Sequence, residues 1–197
     1  MPRSSMGRRD QTGFSLTELL FVVAIGLVVT ATALPSMTTA IANARLRASM
    51  TSISGLLQNT RMVAVQQNKT KTALTQVRTN ALICYIKNAG DTSAVETSDS
   101  QVELEAPITA YTTPSGTGAP SEVSTTTLSF TPQTGDPSFN SRGLPCAYSS
   151  GICTASVGFI KYFKDNRISG AGGWAAISIS PAGRIKRWFW NGSAWTD

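Results

Sequence analysis

Apolar residues crowd the start of this chain and then thin into two successive periodicities. Phe14 to Leu34 is a run of 21 largely apolar residues, and no charge occurs from Leu19 to Ala44. Such a run is about the length a helix needs to cross roughly 30 Å of hydrocarbon. A helical period follows: Met37, Ile41, Ala44, Ala48, then Met50, Ile53 and Leu57 recur at steps of three and four. Leu46, Leu56, Val63 and Ala64 widen that stripe, while Arg45, Arg47, Gln58, Asn59 and Arg61 face away. Gly55 is a weak interruption, and nothing firm stops the helix before Asn68-Lys69-Thr70. The pattern predicts one helix from Phe14 to about Gln67, about 80 Å long at 1.5 Å per residue. Met37, Met50 and Met62 read as core filler rather than ligands.

Beyond Lys69 the period shortens to that of strands. Thr72–Val77, Leu82–Lys87, Val102–Glu105, Thr126–Thr131, Ser156–Phe163, Trp174–Ser180 and Arg184–Trp190 are the candidates. Turn residues punctuate them at Asn88-Ala89-Gly90-Asp91, Thr113-Pro114-Ser115-Gly116 and Thr134-Gly135-Asp136-Pro137. The Ser/Thr-rich stretch from Ala89 to Glu122 predicts long loops with one hairpin, and no repeat is visible. The second half of the helix is expected to pack on a β domain.

Composition narrows the chemistry. The 197 residues are 41% hydrophobic, enough for a core, and only 14% charged. Ser and Thr number 23 and 25, a usage closer to an exported β-rich domain than to a cytosolic enzyme. There is no His, which excludes Ser-His-Asp and Cys-His nucleophiles and imidazole metal sites. Three cysteines are too few for a structural zinc site. Cys146 and Cys153 bracket a short loop with Ser and Gly at its tip, and in an oxidising compartment they read as a disulfide. Cys84, inside an apolar run, reads as a buried free thiol. Asp91, Asp99 and Asp136 lack calcium-loop spacing. Neither a metal nor a cofactor is expected.

The N-terminal run admits three readings. It is a plain membrane anchor; or a secretory signal cut after Ala31-Thr32-Ala33, which would release an exported enzyme or carbohydrate binder; or something that uses Glu18. Arg3, Arg8 and Arg9 favour retention of the leading end in the cytoplasm, and Arg45 and Arg47 weaken that bias without reversing it. The first two readings leave Glu18 unexplained. A carboxylate in an apolar segment costs about 2.5–3.5 kcal/mol at the centre of a bilayer and less near its edge, so it is retained only with a partner. No Lys or Arg lies within a turn of Glu18. A free amine at Phe14, created by cutting after Gly13, would serve.

Gly13-Phe14-Ser15-Leu16-Thr17-Glu18 resembles the prepilin cleavage motif of type IV pilins and type II secretion pseudopilins. The resemblance implies that the leader is removed after Gly13 and that Phe14 is N-methylated. It also implies that Glu18 is kept as the fifth residue of the processed chain. Pro35 falls where such proteins commonly carry a helix-kinking proline. Leader removal would take Arg3, Arg8, Arg9 and Asp10 with it, lowering the formal charge from +6 to +4. Leu128-Ser129-Phe130-Thr131-Pro132-Gln133-Thr134-Gly135 and Ile177 to Lys186 are similar to segments of the GspH/FimT branch of minor subunits, and the fold this resemblance implies is α+β, a type IV pilin-like long N-terminal helix packed on antiparallel β-sheets.

Charge is unevenly placed in the remainder. Seven acids and no Lys or Arg lie between Asn88 and Ser141, while seven basic residues follow from Arg142 onward. Arg184, Lys186 and Arg187 sit beside Trp188, Phe189, Trp190 and Trp195. Cations beside aromatics suit a phosphate backbone and its bases. FimT-like pilins of DNA uptake carry a similar Gly-Arg-x-Arg, and here Gly183-Arg184-Ile185-Lys186 has Lys in the last place. Strand alternation offers a duller account, placing Arg184, Lys186 and Trp188 on one face and Ile185, Arg187 and Phe189 on the other.

The resemblance divides the chain into a leader (1–13), a membrane and filament-core helix (14–35), its amphipathic continuation (36–68) and a β-rich domain (69–197). It implies a non-enzymatic minor pilin or pseudopilin of a type IV pilus or type II secretion pseudopilus. The alternative is a DNA-binding minor pilin of natural transformation. Expected partners are other pilin or pseudopilin subunits, prepilin peptidase, an inner-membrane assembly platform and, in the alternative, nucleic acid. The expected location is the bacterial inner membrane, single-pass, with the β domain in the periplasm.

Overall fold

The computed structural model describes residues 15–105, 107–155 and 157–197, with the side chains of residues 32–36 and 155 also outside the description. Gly13 and Phe14 therefore lie outside the described residues. Two compact units are present, residues 1–38 and 39–197. Helix α1, Leu16–Gln66, contributes to both.

In the first unit the helix is uncovered. Leu19, Leu20, Phe21, Val22, Val23, Ile25, Leu27, Val28 and Val29 are all exposed. Among the described residues no helix is long and apolar enough to cross a membrane. From Leu16 to Ala31, the stretch with described side chains, 16 residues rise only about 24 Å, short of a hydrocarbon core. The expected crossing, Phe14–Leu34, runs at both ends into positions outside the description. The helix assignment continues through Pro35, whose side chain is among those left out.

In the second unit α1 buries a stripe of Ala42, Leu46, Met50, Ile53, Leu56, Leu57 and Ala64, with Ser49 and Thr60 between them. Six of those seven apolar residues belong to the stripe expected from sequence, but other expected members are not buried. Ala44, Ala48 and Ile41 are exposed, as are Met37 and Met62, so of the three methionines named as core filler only Met50 is buried. Thr60 shares the buried face. Its hydroxyl donates to the Leu56 carbonyl at 2.8 Å, so a polar residue sits in the core with its donor satisfied. The helix stops at Asn68, whose φ of 50° turns the chain left-handed, while the Lys69 N–H reaches back to the Ala64 carbonyl at 3.1 Å.

Twelve strands follow. β1 (Lys71–Arg78), β2 (Ala81–Asn88), β3 (Gln101–Leu104) and β4 (Ile108–Tyr111) precede a helical turn, α2 (Thr125–Leu128). β5 (Pro132–Thr134), β6 (Ser138–Phe139), β7 (Pro145–Ser149) and β8 (Ile152–Ala155) come next, then β9 (Gly158–Asp165), β10 (Trp174–Ile179), β11 (Ile185–Trp190) and β12 (Trp195–Thr196). They form two six-stranded sheets, ordered β3-β2-β1-β6-β7-β8 and β12-β11-β10-β9-β4, with β5 joining β9. Pairing is antiparallel throughout except between β5 and β9. The architecture is thus α+β, an N-terminal helix followed by antiparallel sheets.

The core lies where α1 meets both sheets. Leu46, Met50, Ile53 and Leu57 pack with Leu82, Cys84 and Phe139 of the first sheet and Phe159, Phe163 and Ile177 of the second. A second cluster covers the other face of β9 to β11: Ile160, Tyr162, Trp174 and Trp188 lie with Val123 and Leu128. Covered on both faces, β10 is buried at all six positions.

Two expectations for the middle of the chain are corrected. Thr126–Thr131, read as a strand from its β-branched residues, contains most of α2. Ser124 caps that turn, its hydroxyl oxygen accepting from Thr127 N–H at 3.1 Å, and Ser129 closes it at a φ of 64°. The hairpin expected within 89–122 is absent among the described residues: β3 and β4 join different sheets.

The β7–β8 hairpin turns through Ser150 and Gly151, both at positive φ, as a tight two-residue turn requires. A disulfide links Cys146 and Cys153 across it, with Cα atoms 5.5 Å apart. Cys84 is free, and burial pushes its thiol up to about 12. Iodoacetamide at pH 8 should therefore label no cysteine in the folded oxidised protein and one after denaturation, as counted by intact mass. Labelling of the native protein would show that Cys84 is reachable.

Candidate functional site

Two places collect the residues singled out by sequence. The first is the start of α1. Glu18 is exposed in the first helical turn, where a carboxylate is favoured by the unpaired N–H groups of the helix end. The helix opens with the Leu19 N–H donating to the Ser15 carbonyl at 3.1 Å, and the Ser15 and Thr17 hydroxyls share a 2.7 Å hydrogen bond. No Lys or Arg lies among the described residues of this unit. Glu18 thus stands as a lone charge amid uncovered aliphatic side chains. The positions expected for cleavage and methylation, Gly13 and Phe14, lie outside the described residues.

The second place is the β10–β11 hairpin, whose register pairs Ile179 with Ile185 and Ser178 with Lys186. Ser180 and Gly183 close its turn: the Gly183 N–H donates to the Ser180 carbonyl at 2.7 Å, and the Arg184 N–H donates to the Ser180 hydroxyl at 3.1 Å. Arg184, Lys186 and Arg187 do not form one cluster. Arg184 and Lys186 border a cleft of about 280 Å³ with Trp188, Ser178, Ser180 and residues Thr127 to Phe130. Arg187 points to the opposite face, where it donates to the Thr51 hydroxyl of α1 at 2.7 Å. On that face Arg47 also lies over the Phe189 ring, 5.0 Å from its centroid. Two-residue alternation separates the three cations, as the simpler account from sequence expects.

The cleft has distinct parts. Trp188 is buried, and its indole N–H donates to the Ser178 hydroxyl at 2.8 Å. The Lys186 ammonium lies 4.9 Å from the Trp188 ring centroid and donates to the Asp197 carboxylate at 2.6 Å. That contact holds the Asp197 carboxyl below the usual carboxylate range. Arg184 is exposed and has no ion pair among the described residues. Such a surface can hold an anion through one free and one partly occupied cation, with hydroxyls around them.

Sequence reasoning missed Asp197, the α2 wall and Arg61. Asp197 is eleven residues from Lys186, and only the fold-back of β12 onto β11 brings them together. Arg61 rests on the hairpin turn. A Cβ added at Gly183 would lie 3.3 Å from its Nη1, and one added at Gly143 would lie 3.1 Å from its Nε. Both glycines also have positive φ, 83° and 75°. No local signal connects a helical Arg to two distant glycines.

Among the described residues no group of three or more His, Cys, Asp or Glu is placed to hold a metal ion. No curated protein and no solved structure matches the chain. Residues 8–34 do match a family model, the prokaryotic N-terminal methylation motif, and the chain thereby carries the N-terminal signal of type IV pilin-like proteins.

Proposed function

We propose that the protein is a minor pilin or pseudopilin of the GspH/FimT class, a structural and non-catalytic subunit of a type IV pilus or type II secretion pseudopilus. The observation that carries this reading is the lone Glu18 carboxylate within an uncovered apolar helix, inside the matched methylation segment. Prepilin peptidase would cut between Gly13 and Phe14. The apolar half of α1, with Pro35 as its kink, would lie in the inner membrane before entering a filament, leaving the β domain in the periplasm. Glu18 would then neutralise the terminal amine of a neighbouring subunit, since charges survive burial only when paired. The β domain would contact other subunits and the assembly platform. Mass spectrometry of the native N-terminus tests the reading: N-methylated Phe14 is expected, whereas a chain starting at Leu34 would make it an ordinary exported protein.

The exposed and unpaired Arg184 beside the Lys186 cleft favours a second reading, a minor pilin that contacts DNA. Arg187, turned to Thr51, has no part in that surface.

A further inference from the structure

We infer that Asp197 is a resident competitor in the Arg184–Lys186 cleft, its carboxylate holding the place on Lys186 that a phosphate oxygen of a bound nucleic-acid strand would take. This rests on the reading of the cleft as a phosphodiester site. Lys186 has three N–H donors, and the shortest contact it makes is the 2.6 Å one to Asp197. Asp197 is delivered by β12, where Trp195 pairs with Trp190 and donates its indole N–H to the Ser121 carbonyl at 2.6 Å. A carboxylate tethered one residue beyond that strand acts at high effective concentration, so dilute free carboxylates do not displace it.

The contact is nevertheless weak enough to yield. Asp197 is 56% exposed and Lys186 32% exposed. An exposed pair of this kind shifts an equilibrium by about fivefold at most. A phosphodiester that reaches both Arg184 and Lys186, with the Thr127, Ser129 and Ser180 hydroxyls beside them, gains a second charged contact that a single carboxylate cannot make. The device therefore lowers the affinity of the cleft for an anion by up to about fivefold, and a phosphate that also engages Arg184 offsets that loss.

The test measures binding of a fluorescein-labelled single-stranded oligonucleotide to the full chain in detergent, by anisotropy at a fixed ionic strength of about 0.1 M, where the Debye length is about 10 Å. Asp197→Asn should lower Kd by about three- to fivefold. Glu103→Gln, which removes an exposed acid from the other sheet, should leave Kd within about twofold at an ionic strength that screens distant charges. In a Lys186→Ala background the gain from Asp197→Asn should vanish, since the two side chains act as one coupled pair. Equal effects of Asp197→Asn and Glu103→Gln would reduce the contact to a general charge effect and overturn the proposal. So would a gain that persists without Lys186. Should neither the parent nor Asp197→Asn bind, the phosphodiester reading fails first and the competitor with it.

Discussion

Cells producing Glu18→Ala should accumulate the processed subunit in the membrane and exclude it from filaments. In the proposed assembly step the Glu18 carboxylate meets the freshly exposed amine of a neighbour in an apolar, low-dielectric setting. Removing one member of such a pair leaves the other charge buried and alone, at a cost of about 3–5 kcal/mol. At 1.4 kcal/mol per tenfold, incorporation should fall by roughly two to four orders of magnitude. Leader removal should persist, because the proposed cut, between Gly13 and Phe14, does not involve Glu18. The measurement is the ratio of subunit in sheared filaments to subunit in membranes. A Glu18→Ala chain that enters filaments at the parental ratio would refute the pairing role.

The largest expected loss of stability lies elsewhere, at the loop between β9 and β10. Asp165 is fully buried and accepts three hydrogen bonds from the Arg167 side chain, from Nε at 2.9 and 3.1 Å and from Nη2 at 2.6 Å. It also accepts the Arg167 backbone N–H at 3.0 Å. Arg167→Ala strands a carboxylate with no access to water. The expected cost is again about 3–5 kcal/mol, or a fall in Tm of roughly 10 °C for a domain of this size. Removing both partners should be milder than removing Arg167 alone, because the double variant Asp165→Leu/Arg167→Ala has no charge left to desolvate. Thermal unfolding followed by circular dichroism decides. A double variant as unstable as Arg167→Ala would mean that the loss comes from loop geometry and not from the stranded charge.

Much of the fold was legible because its signals are local. The hydrophobic period marked α1, and alternation between turn residues marked β1, β2, β10 and β11 to within two residues. Errors arose where local chemistry or distant packing outweighed periodicity. Ser124 captured the Thr-rich run after it as a helical turn, and in α1 the exposed Met37, Ile41 and Met62 were counted with the buried stripe. β5, β6 and β12 are too short to show a period at all. The sites divide in the same way. Glu18 stood out because a charge in an apolar run is conspicuous in one dimension. The cleft did not, because its walls come from α2, β10 and β11, with Asp197 held on Lys186 beside them, and only the tertiary fold assembles these.

Arg61 gives the helix of the second unit something like a key in a lock. Its guanidinium lies against Gly183 in the turn of one sheet, and its side-chain stem lies against Gly143 in a turn of the other. Greasy contacts along a helix tolerate small rotations about its axis, since one aliphatic neighbour substitutes readily for another. A long arm whose stem and guanidinium rest on two glycines does not, so it sets the azimuth of α1 against both sheets at once. Any twist applied to that helix must reach the two turns together, and the domain should respond to such a load as one piece.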